Sequence, residues 1–213
     1  MKCSIGGMRC ISRVLDLLFP PRRTERLARE ASPADVFSLL SPAIVPGVTE
    51  AIALMRYDAP LAHALIVEAK FFGSERAAAH LAGLLRDYLL EWAADRVPGE
   101  TLILVPVPLS RARARSRGYN QVERICRAAV PGTALVLMTG LLSRTRDTIP
   151  QTALSGKERR KNMRGAFHAH ALSPARTYIV VDDVTTTGAT LLACADALRA
   201  AGAKDIILLA LAS

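Results

Sequence analysis

Two adjacent carboxylates followed by three threonines and a glycine are the residues best equipped for chemistry in this chain: Val181-Asp182-Asp183-Val184-Thr185-Thr186-Thr187-Gly188-Ala189-Thr190. Small hydroxylated residues and a glycine let successive backbone N–H groups converge on an anion, and threonine hydroxyls add donors. A helix expected from Ala189 directs its positive end at the same place. The acids would repel that anion, so their natural partners are hydroxyl donors. A ribose 5-phosphate offers both partners: a vicinal diol for Asp182 and Asp183, and a monoester for the cradle formed by Val184, Thr185, Thr186, Thr187, Gly188, Ala189 and Thr190. Each piece alone is ordinary, a solvated turn or a helix cap. The combination carries the reading.

Secondary-structure elements must position these groups. Residues 178–181 form an apolar run suited to a buried strand. Residues 189–201 follow as a helix with Leu191, Ala195 and Leu198 on one stripe and Gly202 at its end. The acids then sit at the carboxyl end of a strand, where open α/β sheets bind ligands. They face opposite sides of a regular strand, so a turn is expected to begin at Asp182 if both serve one ligand. Upstream, residues 102–105 and 134–138 read as short strands, and 61–71, 77–93 and 120–129 as helices. Residues 206–211 form the closing strand, while 48–57 fit either a strand or a short helix. This alternation predicts an α/β fold, a parallel sheet flanked by helices. Residues 1–45 read as a short N-terminal helical appendage, in which Ile11, Val14, Leu15 and Leu18 recur at helical spacing before Pro20-Pro21. Residues 46–213 read as the domain proper.

The net charge of +9 is concentrated in two places. Residues 111–127 and 144–164 each carry +5, so the rest of the chain nets −1. Local basicity suits a site for a compact polyanion, and equally a nucleic-acid face. Val105-Pro106-Val107-Pro108-Leu109-Ser110-Arg111 leaves a strand on a path fixed by two prolines and presents donors beyond the sheet. Ser110 also fits as a simple helix cap. Arg111, Arg113, Arg115 and Arg117 alternate with small residues, which suggests one side of an extended loop. The stretch 143–167 is long, polar and without a clean period, as functional loops often are. In it Lys157, Arg159, Arg160, Lys161 and Arg164 could track the phosphates of a nucleic acid.

Other chemistry finds little support. Cys3, Cys10, Cys126 and Cys194 are scattered, which argues against a disulfide framework and for a reducing, cytoplasmic setting. No histidine pair has metal-ligand spacing. The strand before Asp182 resembles a Walker B strand, but no G-x-x-x-x-G-K-[ST] or G-x-G-x-x-G segment accompanies it. No run of about 18 apolar residues exists to span a membrane.

The string 179–190 is similar to the phosphoribosyl pyrophosphate motif of type I phosphoribosyltransferases. Over residues 57–212 the chain resembles the ComF family, phosphoribosyltransferase-fold proteins tied to bacterial DNA uptake. The resemblance rests on that string, on Lys70-Phe71 and Gly73, on residues 105–110, and on Arg117-Gly118-Tyr119-Asn120-Gln121. Arg144, Thr148, Gln151, Leu154, Arg159, Asn162 and Ala166-Phe167 complete it. It implies a type I phosphoribosyltransferase-like sheet that binds phosphoribosyl pyrophosphate. Leu109, Ser110 and Arg111 would hold the pyrophosphate, and magnesium would be held through the substrate rather than by protein ligands. A loop from Arg144 to Phe167 would close over the substrate, with Arg144, Gln151, Arg159 and Asn162 acting on it. The reaction implied is pentosyl transfer with release of pyrophosphate. A second implication is a non-catalytic accessory role in DNA uptake, with single-stranded DNA, a DNA helicase or recombination proteins as partners. A third is a sensor of nucleotide precursors. In one respect the chain departs from the family. A cysteine-rich zinc module commonly precedes a segment like Leu18-Phe19-Pro20-Pro21, yet only Cys3 and Cys10 lie near it here, so that module reads as degenerate.

Overall fold

The computed structural model describes residues 20–94, 101–145, 158, 162–170 and 172–213. Its centre is a six-stranded sheet built from β1 (Ala43–Val45), β2 (Val48–Met55), β3 (Leu102–Pro106), β4 (Val136–Leu137), β7 (Thr177–Val184) and β8 (Asp205–Ala212). The spatial order is β1-β2-β8-β7-β3-β4, with only the β1–β2 pair antiparallel. Every residue of β3 and the first five of β7 are buried, as expected of strands covered on both faces. Residues 48–57, which fitted two element types, supply β2. Its pairing with β8 through Ala51, Ile52, Ala53 and Met55 decides for the strand.

Helices α1 (Arg23–Glu30), α2 (Pro33–Phe37), α3 (Pro60–Phe71), α4 (Glu75–Ala94) and α6 (Gln121–Ala129) contribute to one hydrophobic core. Leu104, Ile179, Val181, Leu209 and Leu211 meet them from the sheet. On the opposite face, α7 (Ala189–Ala200) packs with a two-stranded antiparallel ribbon, β5 (Leu142–Arg144) and β6 (Phe167–Ala169). Leu191, Ala195 and Leu198 are buried there, as their stripe required. Cys126 and Cys194 are buried free thiols in these two separate cores. Among the described residues no helix is long and apolar enough to cross a membrane.

Of the segment 1–45, residues 20–45 pack onto this architecture. Ala28, Ala31 and Val36 enter the first core, and β1 forms an edge of the sheet. Buried Glu68 on α3 accepts from Arg22 Nε at 3.3 Å and Nη2 at 3.0 Å, and from the Thr24 hydroxyl at 2.7 Å. The Arg22 guanidinium lies 3.5 Å over the Phe72 ring. The helix expected over 11–18 lies outside the described residues, as do Cys3 and Cys10.

Three expectations are corrected. The alternating arginines of 111–117 do not line an extended loop; they form α5 (Arg111–Arg117). Alanine and arginine are strong helix formers, Ser110 caps the start by accepting from Arg113 N at 3.3 Å, and Gly118 at φ 75° ends it. Successive i, i+2 positions on a helix point nearly opposite ways, so the arginines spread around α5, none of whose residues is buried. The strand carrying the acids is also longer than 178–181. It runs to Val184, and Asp182 and Val184 still pair with Ala210 and Ala212, so no turn begins at Asp182. Lastly, the ends of 143–167 are strand rather than loop, because Arg144 pairs with Phe167 across the β5–β6 ribbon.

Candidate functional site

β3 and β7 are neighbours in the centre of the sheet, and the chain leaves them toward opposite edges, β3 to β4 and β7 to β8. The crevice beyond their carboxyl ends is the topological switch point where open α/β sheets take ligands. The segment after β3 and the acid pair with the threonine turn at the end of β7 both open into it.

On the β3 side, Val107 N donates to Val181 O at 2.9 Å, which extends the ladder one residue past Pro106. Asn120 Nδ2 donates to Val107 O at 3.0 Å while Asn120 Oδ1 caps α6 by accepting from Val122 N at 3.0 Å. Leu109, Ser110 and Arg111 are thus held between a pinned strand exit and the start of α5. Pro108 and Leu109 also line a cavity of about 470 Å³ with Tyr119, Asn120 and Arg124.

On the β7 side, pleating sends alternate side chains to opposite faces. Ile179 and Val181 belong to the α3–α4–α6 core, Tyr178 and Val180 to the α7 core. Asp183 continues the first series and Asp182 the second, so the two carboxylates straddle the strand end. Asp183 is buried. Its Oδ1 accepts from Val184 N at 2.7 Å, and its Oδ2 takes Lys70 Nζ at 2.7 Å and Gln121 Nε2 at 2.7 Å. Burial alone would raise this carboxyl, but Lys70 and the donors Val184 N and Gln121 outweigh it and hold the group below its ordinary value. Asp182 Oδ1 accepts from Asp183 N at 2.9 Å. Burial first, and the charge of Asp183 second, push the Asp182 carboxyl up to about 7. Two chemically identical neighbours therefore have opposite proton affinities.

The turn begins at Thr185, whose N–H donates to Ala212 O at 3.0 Å and whose hydroxyl accepts from Gly188 N at 3.0 Å. Gly188 precedes α7 with φ 62°, and a Cβ there would lie 2.6 Å from Val48 Cγ2. Only glycine meets both demands. Residues 185–188 are thereby folded against β2, and Ala189, Thr190 and Leu191 start α7. First-turn N–H groups have no acceptor within their own helix, and the positive end of the helix dipole lies at this turn.

Among the remaining expected residues, Arg144 lies on β5 with its guanidinium 5.6 Å from the Phe167 ring. It also lies close enough to Cys194 on α7 to lower the thiol's otherwise raised pKa, a rise due first to burial and then to Asp182. Asn162 is described, on the helical turn before β6. Gln151 and Arg159 lie outside the described residues, as do Lys157, Arg160 and Lys161. Among the described residues no three His, Cys, Asp or Glu side chains converge to hold a metal ion.

Lys70 and Gln121 are the partners of Asp183 that the residue pattern alone did not assign to the site. Arg117 Nη1 donates to Gln121 Oε1, which fixes the amide with its NH₂ toward Asp183. The Tyr119 hydroxyl is shared between Ala69 O at 3.2 Å and Lys70 O at 3.1 Å. The strings Lys70-Phe71…Gly73 and Arg117…Gln121 are therefore two halves of one support around Asp183. Their signal in the sequence was the presence of both strings together, not the type of either residue.

Comparison with known proteins agrees with this geometry. A family model for the phosphoribosyl transferase domain matches residues 77–213. DNA utilization protein YhgH of Escherichia coli O157:H7 is 33% identical over 157 residues, covering 73% of this chain and 68% of that protein. Competence protein F of Haemophilus influenzae is 34% identical over 106 residues, which span 48% of this chain and 46% of that protein, about half its length. A solved hypoxanthine phosphoribosyltransferase from Staphylococcus aureus overlays with a TM-score of 0.37 at 13% identity, covering 64% of this chain and 63% of that one; a likeness that loose carries no argument. With the central parallel sheet, the acid pair at its switch point and these relatives in hand, the chain belongs to the phosphoribosyl transferase domain family, in its ComF group.

Proposed function

We propose that this protein binds phosphoribosyl pyrophosphate in the crevice beyond β3 and β7 and transfers the phosphoribosyl group with release of pyrophosphate. The observation that supports this most is the convergence, at one switch point, of the acid pair, the hydroxyl-rich turn before α7 and the pinned turn after β3. In this reading the ribose lies across the end of β7, so that Asp182 and Asp183 accept its two hydroxyls from opposite sides of the strand without a turn between them. Asp183 keeps an acceptor position on Oδ1, which has one donor, while Oδ2 already has two. The backbone of Val184 to Thr190 and the hydroxyls of its threonines hold the 5-phosphate. Leu109, Ser110 and Arg111 hold the pyrophosphate, and Arg144, Gln151, Arg159 and Asn162 act from the segment that closes over it.

Magnesium fits as an ion carried by the pyrophosphate, because Asp183 is already paired with Lys70 and no three acidic, histidine or cysteine side chains converge among the described residues. When bound, it neutralises charge that grows on the leaving group. The arginines stabilise the same charge, and closure excludes water from the reactive sugar. The reading places the protein in the cytoplasm.

Calorimetric titration with phosphoribosyl pyrophosphate and magnesium tests it. Asp183→Asn removes a charge-assisted acceptor worth about 1.5–3 kcal/mol and is expected to weaken affinity about tenfold to a hundredfold. Unchanged affinity in that variant sinks the ribose role. Incubation with a panel of bases and amines, scored by pyrophosphate release, then separates an enzyme from a binding module.

A second reading is supported by α5. Arg111, Arg113 and Arg115 are exposed on a helix with no buried residue, and the relatives carry the names competence protein and DNA utilization protein. On that reading the chain also contacts single-stranded DNA during DNA uptake, alongside an import helicase or recombination proteins.

A further inference from the structure

Two carboxylates beside a phosphate cradle pose an electrostatic problem that the sugar's hydroxyls do not solve. If both acids were ionised and uncompensated, they would repel the phosphate and the pyrophosphate that the site must admit. The described residues contain one cation within ion-pair distance of either acid, and it comes from a distant part of the chain. Resting on the sugar-phosphate reading above, we propose that Lys70 is a positioning residue of this site: it is the standing counter-ion that lets the acid pair face an anionic ligand.

Lys70 is not a chance surface contact. Its ammonium lies 2.7 Å from Asp183 Oδ2, with the two side chains 23% and 8% exposed. It lies in the last turn of α3, and that turn is fixed from outside. The Tyr119 hydroxyl bonds both the Ala69 and Lys70 carbonyls, and Arg124 Nη1 donates to Gly73 O at 3.4 Å. Gly73 takes φ 64° against the Tyr119 ring, so the chain turns away immediately after placing the lysine. Gln121, buried at 4% exposure and oriented by Arg117, holds the other side of the same oxygen. Two elements, α3 and α6, thus converge on one carboxylate oxygen, and α5 orients the second of them.

The arrangement leaves room for a ligand. Lys70 and Gln121 fill Oδ2, while Oδ1 carries only Val184 N, so a sugar hydroxyl can approach without displacing the lysine. Lys70 is therefore a permanent partner rather than a plug. The other charged or titratable groups near the pair are Arg117 on α5, which is turned onto Gln121, and Arg144 on β5 and Cys194 on α7, both on the Asp182 side. None of these replaces Lys70 beside Asp183. Removing the ammonium raises the proton affinity of both acids, since its charge lowers each of them.

The test compares wild type, Lys70→Met and Lys70→Arg in titrations with phosphoribosyl pyrophosphate and magnesium across the neutral pH range. Folding of each variant is checked by circular dichroism, and Lys70→Gln serves if the methionine variant does not fold. The methionine variant is expected to bind about tenfold more weakly or worse, with the midpoint of its pH profile displaced to higher pH, and the arginine variant to recover most of both. Equal affinity and an unshifted profile in Lys70→Met overturn the inference while leaving the sugar-phosphate reading intact. A loss of the same size at every pH overturns it too, because that is the mark of a merely structural contact. If wild type itself does not bind, the underlying reading fails and this inference with it. A carbon-13 titration of the Asp183 carboxyl in the ligand-free protein adds a separate check: no upward shift in Lys70→Met also overturns the proposal.

Discussion

Asp182 and Asp183 are neighbours in the chain with the same side chain, and still differ because of what reaches each. Asp183 meets an ammonium and an amide; Asp182 meets burial and its neighbour's charge. The consequence for stability has a definite sign. The folded Asp182 carboxyl sits at about 7 against an ordinary 3.8. Between these values the unfolded chain has released a proton that the fold retains, so this residue makes stability fall as pH rises from about 4 to about 7. Asp183, held below its ordinary value, acts only at lower pH, where its contribution is lost as pH falls. Asp182→Asn is thus expected to flatten the decline, gaining on wild type in denaturant melts at about pH 8 relative to about pH 5. Parallel pH profiles for the two proteins refute this account.

At the scale of elements, the site depends on how a turn is packed against a strand. Gly188 combines a left-handed backbone with direct contact on Val48 of β2. Gly188→Ala is expected to cost about 1–3 kcal/mol from the backbone alone, with the Val48 clash added, measured as a lower denaturation midpoint. A smaller loss would mean that the turn is free to move off β2. The elements themselves were largely legible: 102–105 and 206–211 are apolar runs, buried on both faces from Leu208 onward in the second and throughout the first, and Leu191, Ala195 and Leu198 mark the helix that follows the turn. The extension of β7 through Asp182 and Asp183 was not legible, because only its pairing with Ala210 and Ala212 keeps two charged residues in a strand. The alternating arginines misled for a related reason. Their alternation resembles a strand period, whereas the cap at Ser110 and the helix-forming Ala and Arg decide the local structure. Gln121, 62 residues from Asp183, and the still more distant Lys70 escaped notice because no local pattern signals a contact made only by folding.

Across the whole molecule, charge is distributed rather than uniform. The net +9 arises from two segments, and one of them includes a helix that buries nothing. If single-stranded DNA follows α5, each phosphate neutralised contributes about −0.7 to the slope of log affinity against log salt. Replacing Arg111, Arg113 and Arg115 together by glutamine is then expected to make that slope shallower by about 2, while phosphoribosyl pyrophosphate binding loses only the share that Arg111 supplies. Fluorescence anisotropy at several salt concentrations reads this. An unchanged slope assigns any DNA contact to another surface.

The support around Asp183 also bears on how portable the fold's chemistry is. A chimera that grafted Thr177–Ala200 onto a foreign sheet would inherit both acids and the threonine turn but neither the ammonium of residue 70 nor the amide of residue 121. Such a transplant would carry a ligand-shaped loop whose own charge turns the ligand away.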